Sequence, residues 1–245
     1  MVLIPAGEFL MGSDPKKDKD AYDDEQPQHT LCLPDYYLAK TPVTNAQYAA
    51  FAQATGHKQP EDWKGGNPPT GKEDHPVVNA SWHDAVAYCR WLSEVTGKPY
   101  NLPSEAEWEK GARGSDGRIY PWGNQWDAER CNTGEGGPGD TTPVGAYPQG
   151  ASPYGLLDMA GNVWEWTRSL WGEDSEEPDF SYPYNPKDGR ENLKASDDVL
   201  RVLRGGSWIS GIERSARCSS RYYVLPAFFP GRRGFRVVVS ARSLS

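Results

Sequence analysis

Residues 203–239 read LRGGSWISGIERSARCSSRYYVLPAFFPGRRGFRVVV, and this stretch decides how the rest of the sequence is interpreted. It opens on an Arg-Gly-Gly-Ser-Trp motif at Arg204 and closes on Gly-Phe-Arg-Val at Gly234. Between the two motifs lie apolar and small residues, where a solvated surface normally carries polar ones. Clustered exposed Tyr and Phe side chains mark partner sites, because they offer a large contact area at little conformational-entropy cost. The stretch therefore predicts a displayed surface more than a buried core.

The chain of 245 residues is long enough to bury one large core, and its composition shows no break. We therefore expect a single domain over residues 1–245, with a ligand-display region at residues 203–239. No apolar run approaches the length of a membrane span, and the first residues lack the parts of a secretory signal. The four cysteines form no CxxC pair, which favours a reduced, cytoplasmic chain without a zinc site. Display at a surface through another segment or a partner stays open.

Charge is divided unevenly along the sequence. The net charge is −8, yet the chain from Leu200 onward holds nine Arg, no Lys and one acidic residue, a local charge of +8. Residues 1–199 therefore carry −16. Arginine without lysine predicts planar, bidentate pairing with carboxylates inside the fold. Nucleic-acid binding is the alternative for such a basic stretch, but the acidic whole and the missing lysines disfavour it.

Three helices are predicted from their start signals. Thr44, Ser81 and Ser104 each stand where a hydroxyl can cap the first turn, and the first two helices are expected to end at Gly56 and Gly97. Strands are expected at residues 1–10 and 30–39.

Two polar stretches are expected to be loops. Residues 14–28 are rich in Asp, Lys and Glu and predict a solvated loop, with a metal site as the alternative. Residues 170–198 are acidic and rich in proline, which predicts a long insert over the surface. Such an insert could border a binding face or be a mobile loop.

Several further motifs together point to one family. They are PVVNASW at residues 76–82, LPSEAEWE at 102–109, PWGN at 121–124 and YGLLDMAGNVWEW at 154–166, beside RGGSW and GFRV in the display region. The set resembles the formylglycine-generating-enzyme-like (sulfatase-modifying factor) branch of the C-type lectin fold, over nearly the whole chain. The resemblance implies a single α+β domain that is irregular and rich in loops. Because that family includes oxidases, sulfoxide synthases and non-catalytic binding proteins, the resemblance leaves the activity open.

A calcium site is expected in the motif at residues 154–166. Asp158 and Glu165 are separated by a Gly-Asn turn that can aim carbonyl oxygens inward, and Ca²⁺ takes hard oxygen ligands of this kind. The family resemblance implies Asp158 and Glu165 as side-chain ligands, with Gly161 and Val163 acting through carbonyls. Alternatively, the two carboxylates pair with the C-terminal arginines and hold no ion. A second family calcium site, near residues 132–133, lacks the acidic residue expected at or near residue 136.

The resemblance also allows the enzyme hypothesis to be tested on two residues. Family oxidases hold Cu(I) between two cysteines that follow the RGGS motif, and here these positions fall on Ser210 and Ser215. Cu(I) prefers soft thiolates, and a serine hydroxyl is a poor ligand for it. Cys218 alone does not restore the pair. We therefore expect no copper and no enzymatic activity. The histidine-bound iron of family sulfoxide synthases is also not expected, since the chain has four histidines and no added helical bundle.

Recognition is the function that remains. In variable proteins of diversity-generating retroelements, which share this fold, a framework alternates with diversified sites, and residues 209–229 resemble that pattern around framework residues such as Arg217 and Arg221. The partner is expected to be a protein or another macromolecule. The predicted ligand-binding residues are Trp208, Ile209, Ser210, Gly211, Ile212, Ser220, Tyr222, Tyr223, Val224, Leu225, Ala227, Phe228 and Phe229.

Three alternatives stay open at this point. Residues 222–225 could be a core strand, with the two phenylalanines at 228–229 filling a gap, since periodicity does not separate a buried run from a displayed one. The chain could instead be a sensor module of a larger signalling protein such as a kinase. It could also be an oxidase of the parent family with an altered metal site.

Overall fold

The computed structural model describes residues 1–210, 213–228 and 231–241. The fold is α+β with much loop, as predicted, and its described part contains three α-helices and ten short strands. The helices are α1 (Asn45–Thr55), α2 (Trp82–Thr96) and α3 (Glu105–Arg113). The strands are β1 (Val2–Ile4), β2 (Gly7–Met11), β3 (His29–Leu33), β4 (Tyr36–Leu38), β5 (Tyr100–Asn101), β6 (Trp164–Gly172), β7 (Leu200–Arg204), β8 (Arg221–Val224), β9 (Arg233–Gly234) and β10 (Val238–Ser240). Among the described helices, none is long and apolar enough to cross a membrane.

The display region contributes to two sheets. One sheet has the order β1-β4-β10-β5, and a second has the order β8-β7-β6-β9, while β2 and β3 form a separate pair. In the second sheet β6 pairs with β7 antiparallel and with β9 parallel, so the two ends of the display region lie on either side of β6. Strand β8 lies at the edge of this sheet, paired with β7 from Arg201↔Val224 to Arg204↔Arg221.

The predicted helix caps are confirmed. The hydroxyls of Thr44, Ser81 and Ser104 each accept a hydrogen bond from the backbone N–H three residues on, and each helix forms a full capping box. Gly56 and Gly97 end the first two helices in the left-handed conformation, at φ 70° in both cases, which glycine adopts without steric cost. Local sequence signals thus suffice for these boundaries.

The two predicted N-terminal strands are each divided in two. Residues 1–10 form β1 and β2, with Pro5 between them, and residues 30–39 form β3 and β4, with Pro34 between them. Proline has no N–H for a ladder hydrogen bond, so a continuous strand through either position is disfavoured.

Two segments predicted as surface loops are tied to the interior, which corrects the sequence interpretation. In residues 14–28 the Asp18 and Glu25 carboxylates are buried, because the Arg217 guanidinium balances both. In residues 170–198 the rings of Tyr182 and Tyr184 are buried, and the buried Arg190 guanidinium lies 4.4 Å from the centre of the Tyr184 ring. Moreover β6 continues to residue 172, so the insert begins later than predicted.

The predicted arginine–carboxylate pairs are confirmed inside the fold. Arg204 donates to Glu109 at 2.5 Å, Arg221 donates to Glu105 at 2.8 Å, and all four side chains are buried. A buried charge is tolerated when it is paired and hydrogen-bonded, which guanidinium does in a fixed planar geometry. These pairs attach the display region to α3.

Candidate functional site

Four large apolar or aromatic side chains of the display region are exposed on the surface. The exposed fraction is 41% for Tyr222, 44% for Leu225, 48% for Phe228 and 42% for Ile209. The alternative of a core strand is therefore only half right, since residues 221–224 do form a strand but it is an edge strand with an exposed ring. The exposure agrees with the prediction of a displayed surface.

Four aromatic rings form a stacked row across this edge of the sheet. The ring centres of Trp164 and Tyr222 are 5.2 Å apart, those of Tyr222 and Tyr223 are 5.9 Å apart, and those of Tyr223 and Trp171 are 4.2 Å apart. The planes of successive rings differ by only 22–29°. We call these four residues the aromatic row.

Residues of the aromatic row line two adjoining hollows, which together we call the cleft. One hollow has a volume of about 520 Å³, and its lining includes Asp23, Asp24 and Glu176; we call it the acidic lobe. The other has a volume of about 530 Å³, and its lining includes Arg232 and Arg233; we call it the basic lobe. Both volumes fall in the range that ligand sites commonly have. Three residues line both lobes: Trp164, Ser215 and Tyr222.

The structure brings some of the predicted ligand-binding residues to the cleft and not others. Those that line it are Ser210, Ser220, Tyr222, Tyr223 and Phe228. Ser220 is buried and faces only the acidic lobe, and Val224 is half-buried and packs against the core. Ile209, Leu225 and Ala227 are exposed outside the lining, and Trp208 lines a separate small hollow beside Asn45. Gly211, Ile212 and Phe229 lie outside the described residues.

Sequence reasoning missed the part of the cleft that other segments supply. Tyr22, Asp23 and Asp24 come from the loop at residues 14–28, while Trp164 and Trp171 come from the two ends of β6. The sequence indicates only that the insert at residues 170–198 could border a binding face, and it does not indicate which of its residues do so. No local pattern joins these segments to residues 221–224.

The family resemblance predicts that Ser210 and Ser215 stand at the positions of the copper-binding cysteines. Ser210 accepts a hydrogen bond from the Ser207 N–H at 2.9 Å and lies 3.2 Å from the Ser207 hydroxyl. Ser210 and Ser215 both line the basic lobe. Cys218 is fully buried, and burial raises the pKa of its thiol to about 12, so it is protonated at neutral pH. Its sulfur is therefore no substitute for a thiolate pair.

The residues predicted to bind calcium fit the ion only in part. Glu165 accepts from Arg236 Nε at 2.6 Å and from Arg236 Nη2 at 2.7 Å, so its charge is already balanced. The Asp158 carboxylate accepts from the Gly145 N–H at 2.7 Å, and burial raises its pKa to about 6. A raised pKa is the behaviour of a buried carboxylate without enough positive charge nearby. Asp158 therefore fits a cation and Glu165, as it stands beside Arg236, does not.

Calcium binding at this motif stays a prediction that thermal unfolding can check. We expect 10 mM CaCl₂ to raise the midpoint of thermal unfolding by about 5 °C relative to a sample in EDTA. This is the shift for an ion whose concentration is about a hundredfold above its Kd. Asp158→Asn should abolish the difference. Asp116→Asn, which alters an exposed pair with Arg118, is the matched control and should retain it. Equal midpoints with calcium and with EDTA would contradict the prediction.

The chain resembles two kinds of curated protein in sequence. It is 35% identical over 252 residues to serine/threonine-protein kinase Pkn1 of Chlamydia trachomatis serovar L2, and the match covers 96% of this chain. It is 32% identical over 293 residues to the formylglycine-generating enzyme of Bos taurus, and that match covers 96% of this chain and 73% of the enzyme. The chain spans 37% of the length of the kinase.

Solved structures resemble it over nearly their whole length. PvdO from Pseudomonas aeruginosa superposes with a TM-score of 0.75 at 29% identity, covering 97% of this chain and 93% of PvdO. Treponema denticola variable protein 1 superposes with a TM-score of 0.73 at 25% identity, covering 98% of this chain and 94% of that protein. The profile of the family described as "Sulfatase-modifying factor enzyme 1-like domain" matches residues 1–241.

Proposed function

Since the chain belongs to the family of sulfatase-modifying factor enzyme 1-like domains, we propose that it binds a macromolecular partner through the cleft and its exposed rim, without catalysis. The observation that carries this proposal is the aromatic row at the edge strand β8, in which the Tyr222 ring is exposed and the Trp164 and Tyr223 rings are half-buried. Large rings at a concave surface are the groups that contribute most to binding, because they bury much area at little entropic cost. A retroelement-diversified variable protein is the form of this function that we favour, supported by the similarity to the Treponema variable protein.

The absence of a sulfur pair supports the non-catalytic part of the proposal. Ser210 and Ser215 line the basic lobe, and their hydroxyl groups do not supply the soft ligand that Cu(I) prefers. A surface that binds and does not transform its partner has no need for such a pair.

Binding through the cleft is tested by removing one exposed ring at a time. Peptides are selected from a displayed random library on the intact chain, and their affinities are measured by fluorescence anisotropy. We expect Tyr222→Ser and Phe228→Ser each to weaken binding by about thirtyfold, the effect of losing a 2 kcal/mol anchor.

Val95→Ser is the matched control for this experiment. Val95 lies on α2, outside the cleft lining, and is 61% exposed, so its loss changes exposed apolar area but not the cleft. Unchanged unfolding midpoints establish that all three variants fold. Affinities that are equal in the intact chain, Tyr222→Ser and Phe228→Ser would contradict the proposal.

A sensor module of a larger signalling protein is the second candidate. The observation that favours it is the match to Pkn1, of which this chain spans 37%. The two candidates differ in their genes: a reverse transcriptase gene and a near-repeat of the 3′ coding sequence beside this gene are expected for a variable protein. A coding sequence fused to a kinase region, without those neighbours, would favour the sensor.

A further inference from the structure

The two lobes of the cleft carry opposite charge. The acidic lobe is lined by the carboxylates of Asp23, Asp24 and Glu176, and within residues 1–210, 213–228 and 231–241 none of the three forms an ion pair. Arg221 also lines this lobe, but its guanidinium is buried and donates to both oxygens of Glu105. The lobe therefore has an excess of negative charge.

The electrostatic influence of these acids reaches the aromatic row. Burial and the nearby carboxylates, Asp24 and Glu176 among them, raise the pKa of Tyr223. Burial also raises the pKa of the half-buried Asp24 carboxyl group, and the Arg221 guanidinium lowers that pKa by less. A cation entering the lobe would relieve both effects, since it meets carboxylates and aromatic rings together.

The basic lobe has the complementary character. Arg232 is exposed at its edge, and the Arg233 guanidinium lies 4.7 Å from the centre of the Phe228 ring. Among the described residues that line this lobe, none is acidic. Arginine at such a position can pair with a carboxylate in a planar, two-point geometry.

We propose that the cleft binds a peptide segment in one fixed direction, with an arginine or lysine side chain in the acidic lobe and a carboxylate in the basic lobe. This inference rests on the binding function proposed above and names the chemistry of the partner. The long aliphatic stem of the basic side chain packs on the rings of the aromatic row, while its charged end reaches Asp24 and Glu176. Tyr222, which lines both lobes, lies at the point where the segment passes from one to the other.

The test uses labelled peptides of defined charge on the intact chain. Each peptide carries one Arg and one Glu separated by two to four glycines. Three comparison peptides differ from it in one respect each: citrulline replaces Arg, Gln replaces Glu, or the order of Arg and Glu is reversed. Citrulline matches arginine in shape but has no charge. At low salt, we expect the best Arg peptide to bind at least about fivefold more tightly than its citrulline partner and than its reversed partner, with the preference falling as salt is added.

Charge-neutral variants locate the preference. Asp24→Asn combined with Glu176→Gln should reduce the ratio of Arg to citrulline affinities to about one, and Arg232→Gln should remove the preference for Glu over Gln. Glu94→Gln, an exposed acid on α2, is the control and should leave both ratios unchanged. Equal affinities for the Arg and citrulline peptides, or no saturable binding by any Arg peptide up to the millimolar range, would overturn the inference.

The two proposals fail in different ways. If library-selected peptides depend on Tyr222 but show no charge preference, the binding function stands and the directional inference does not. If selected peptides bind equally to the intact chain and to Tyr222→Ser, the binding function itself fails.

Discussion

Replacing Arg217 with methionine is expected to lower the free energy of unfolding by about 3–5 kcal/mol, the cost of leaving buried charge without its partner. The Arg217 guanidinium donates to Glu25 at 2.5 and 2.6 Å and to Asp18 at 2.8 Å, and all three side chains are buried. Methionine keeps the length of the side chain but leaves both carboxylates without a cation. Chemical denaturation at neutral pH measures the loss.

Arg214→Met is the matched control for that substitution. Arg214 pairs with Asp20 at 2.7 Å and so joins the same two segments, but both side chains are substantially exposed. Its replacement should leave the denaturation midpoint almost unchanged, as is usual for exposed pairs. A loss in Arg217→Met no larger than in Arg214→Met would contradict the prediction.

The loss in Arg217→Met should also depend on pH. Burial already raises the pKa of Glu25 in the intact chain, and removing the guanidinium raises it further. A carboxyl group with a raised folded-state pKa stabilises the fold below its unfolded pKa and loses that contribution as the pH rises through the folded value. The difference between variant and intact chain should therefore shrink as the pH is lowered from neutral.

Placing sulfur at both serine positions is expected to create a Cu(I) site. In competition with a Cu(I) chelator, Ser210→Cys combined with Ser215→Cys should take up one equivalent of Cu(I), because two thiolates form the soft ligand pair that this ion prefers. The intact chain should take up none. Its buried Cys218 stays protonated, since burial raises the thiol pKa to about 12.

The single variants are the controls for the copper experiment. Ser210→Cys and Ser215→Cys each supply one thiolate and should compete with the chelator far more weakly than the double variant. Stoichiometric Cu(I) uptake by the intact chain, with oxygen consumption on a cysteine-containing sulfatase peptide, would favour the oxidase alternative. Failure of the double variant to take up Cu(I) would contradict the placing of the cysteine pair at these two residues.

The parts of the fold that local physics decides were predictable from sequence. A hydroxyl at Thr44, Ser81 or Ser104 with a suitable residue three positions on is enough to start a helix, and Gly56 or Gly97 is enough to end one. The strand divisions at Pro5 and Pro34 have a local cause too, because proline lacks the N–H that a continuous strand needs.

The burial of charged residues was predictable only from one side. Arginine without lysine after residue 200 indicated carboxylate partners, and Glu105, Glu109 and Glu165 fill that role. Which acids pair with these arginines depends on tertiary contacts. The sequence predicts Asp18 and Glu25 at the surface because they lie in a stretch typical of a solvated loop, whereas in the structure both pair with Arg217. Glu165 is predicted as an ion ligand or as the partner of a C-terminal arginine, and the structure shows that it pairs with Arg236.

The candidate site was half predictable. The residues of β8 and Phe228 could be predicted as part of the site, because aromatic and apolar residues cluster there between the motifs that begin at Arg204 and Gly234. Three other residues of the cleft, Asp24, Trp164 and Glu176, could not be predicted. They come from separate segments: Asp24 precedes Trp164 by 140 residues, and Glu176 follows Trp164 by 12. Only the chain's path in three dimensions joins them to Tyr222.

Arg221 and Tyr222 are neighbours on β8 with different roles. Arg221 is bound to α3 through Glu105, and Tyr222 lines the cleft. Substitutions at such outward positions leave the interior ion pairs untouched. If the cleft binds a partner as proposed, substitutions at these positions can change which partner is bound while the melting temperature stays nearly constant, so that a new specificity costs little stability.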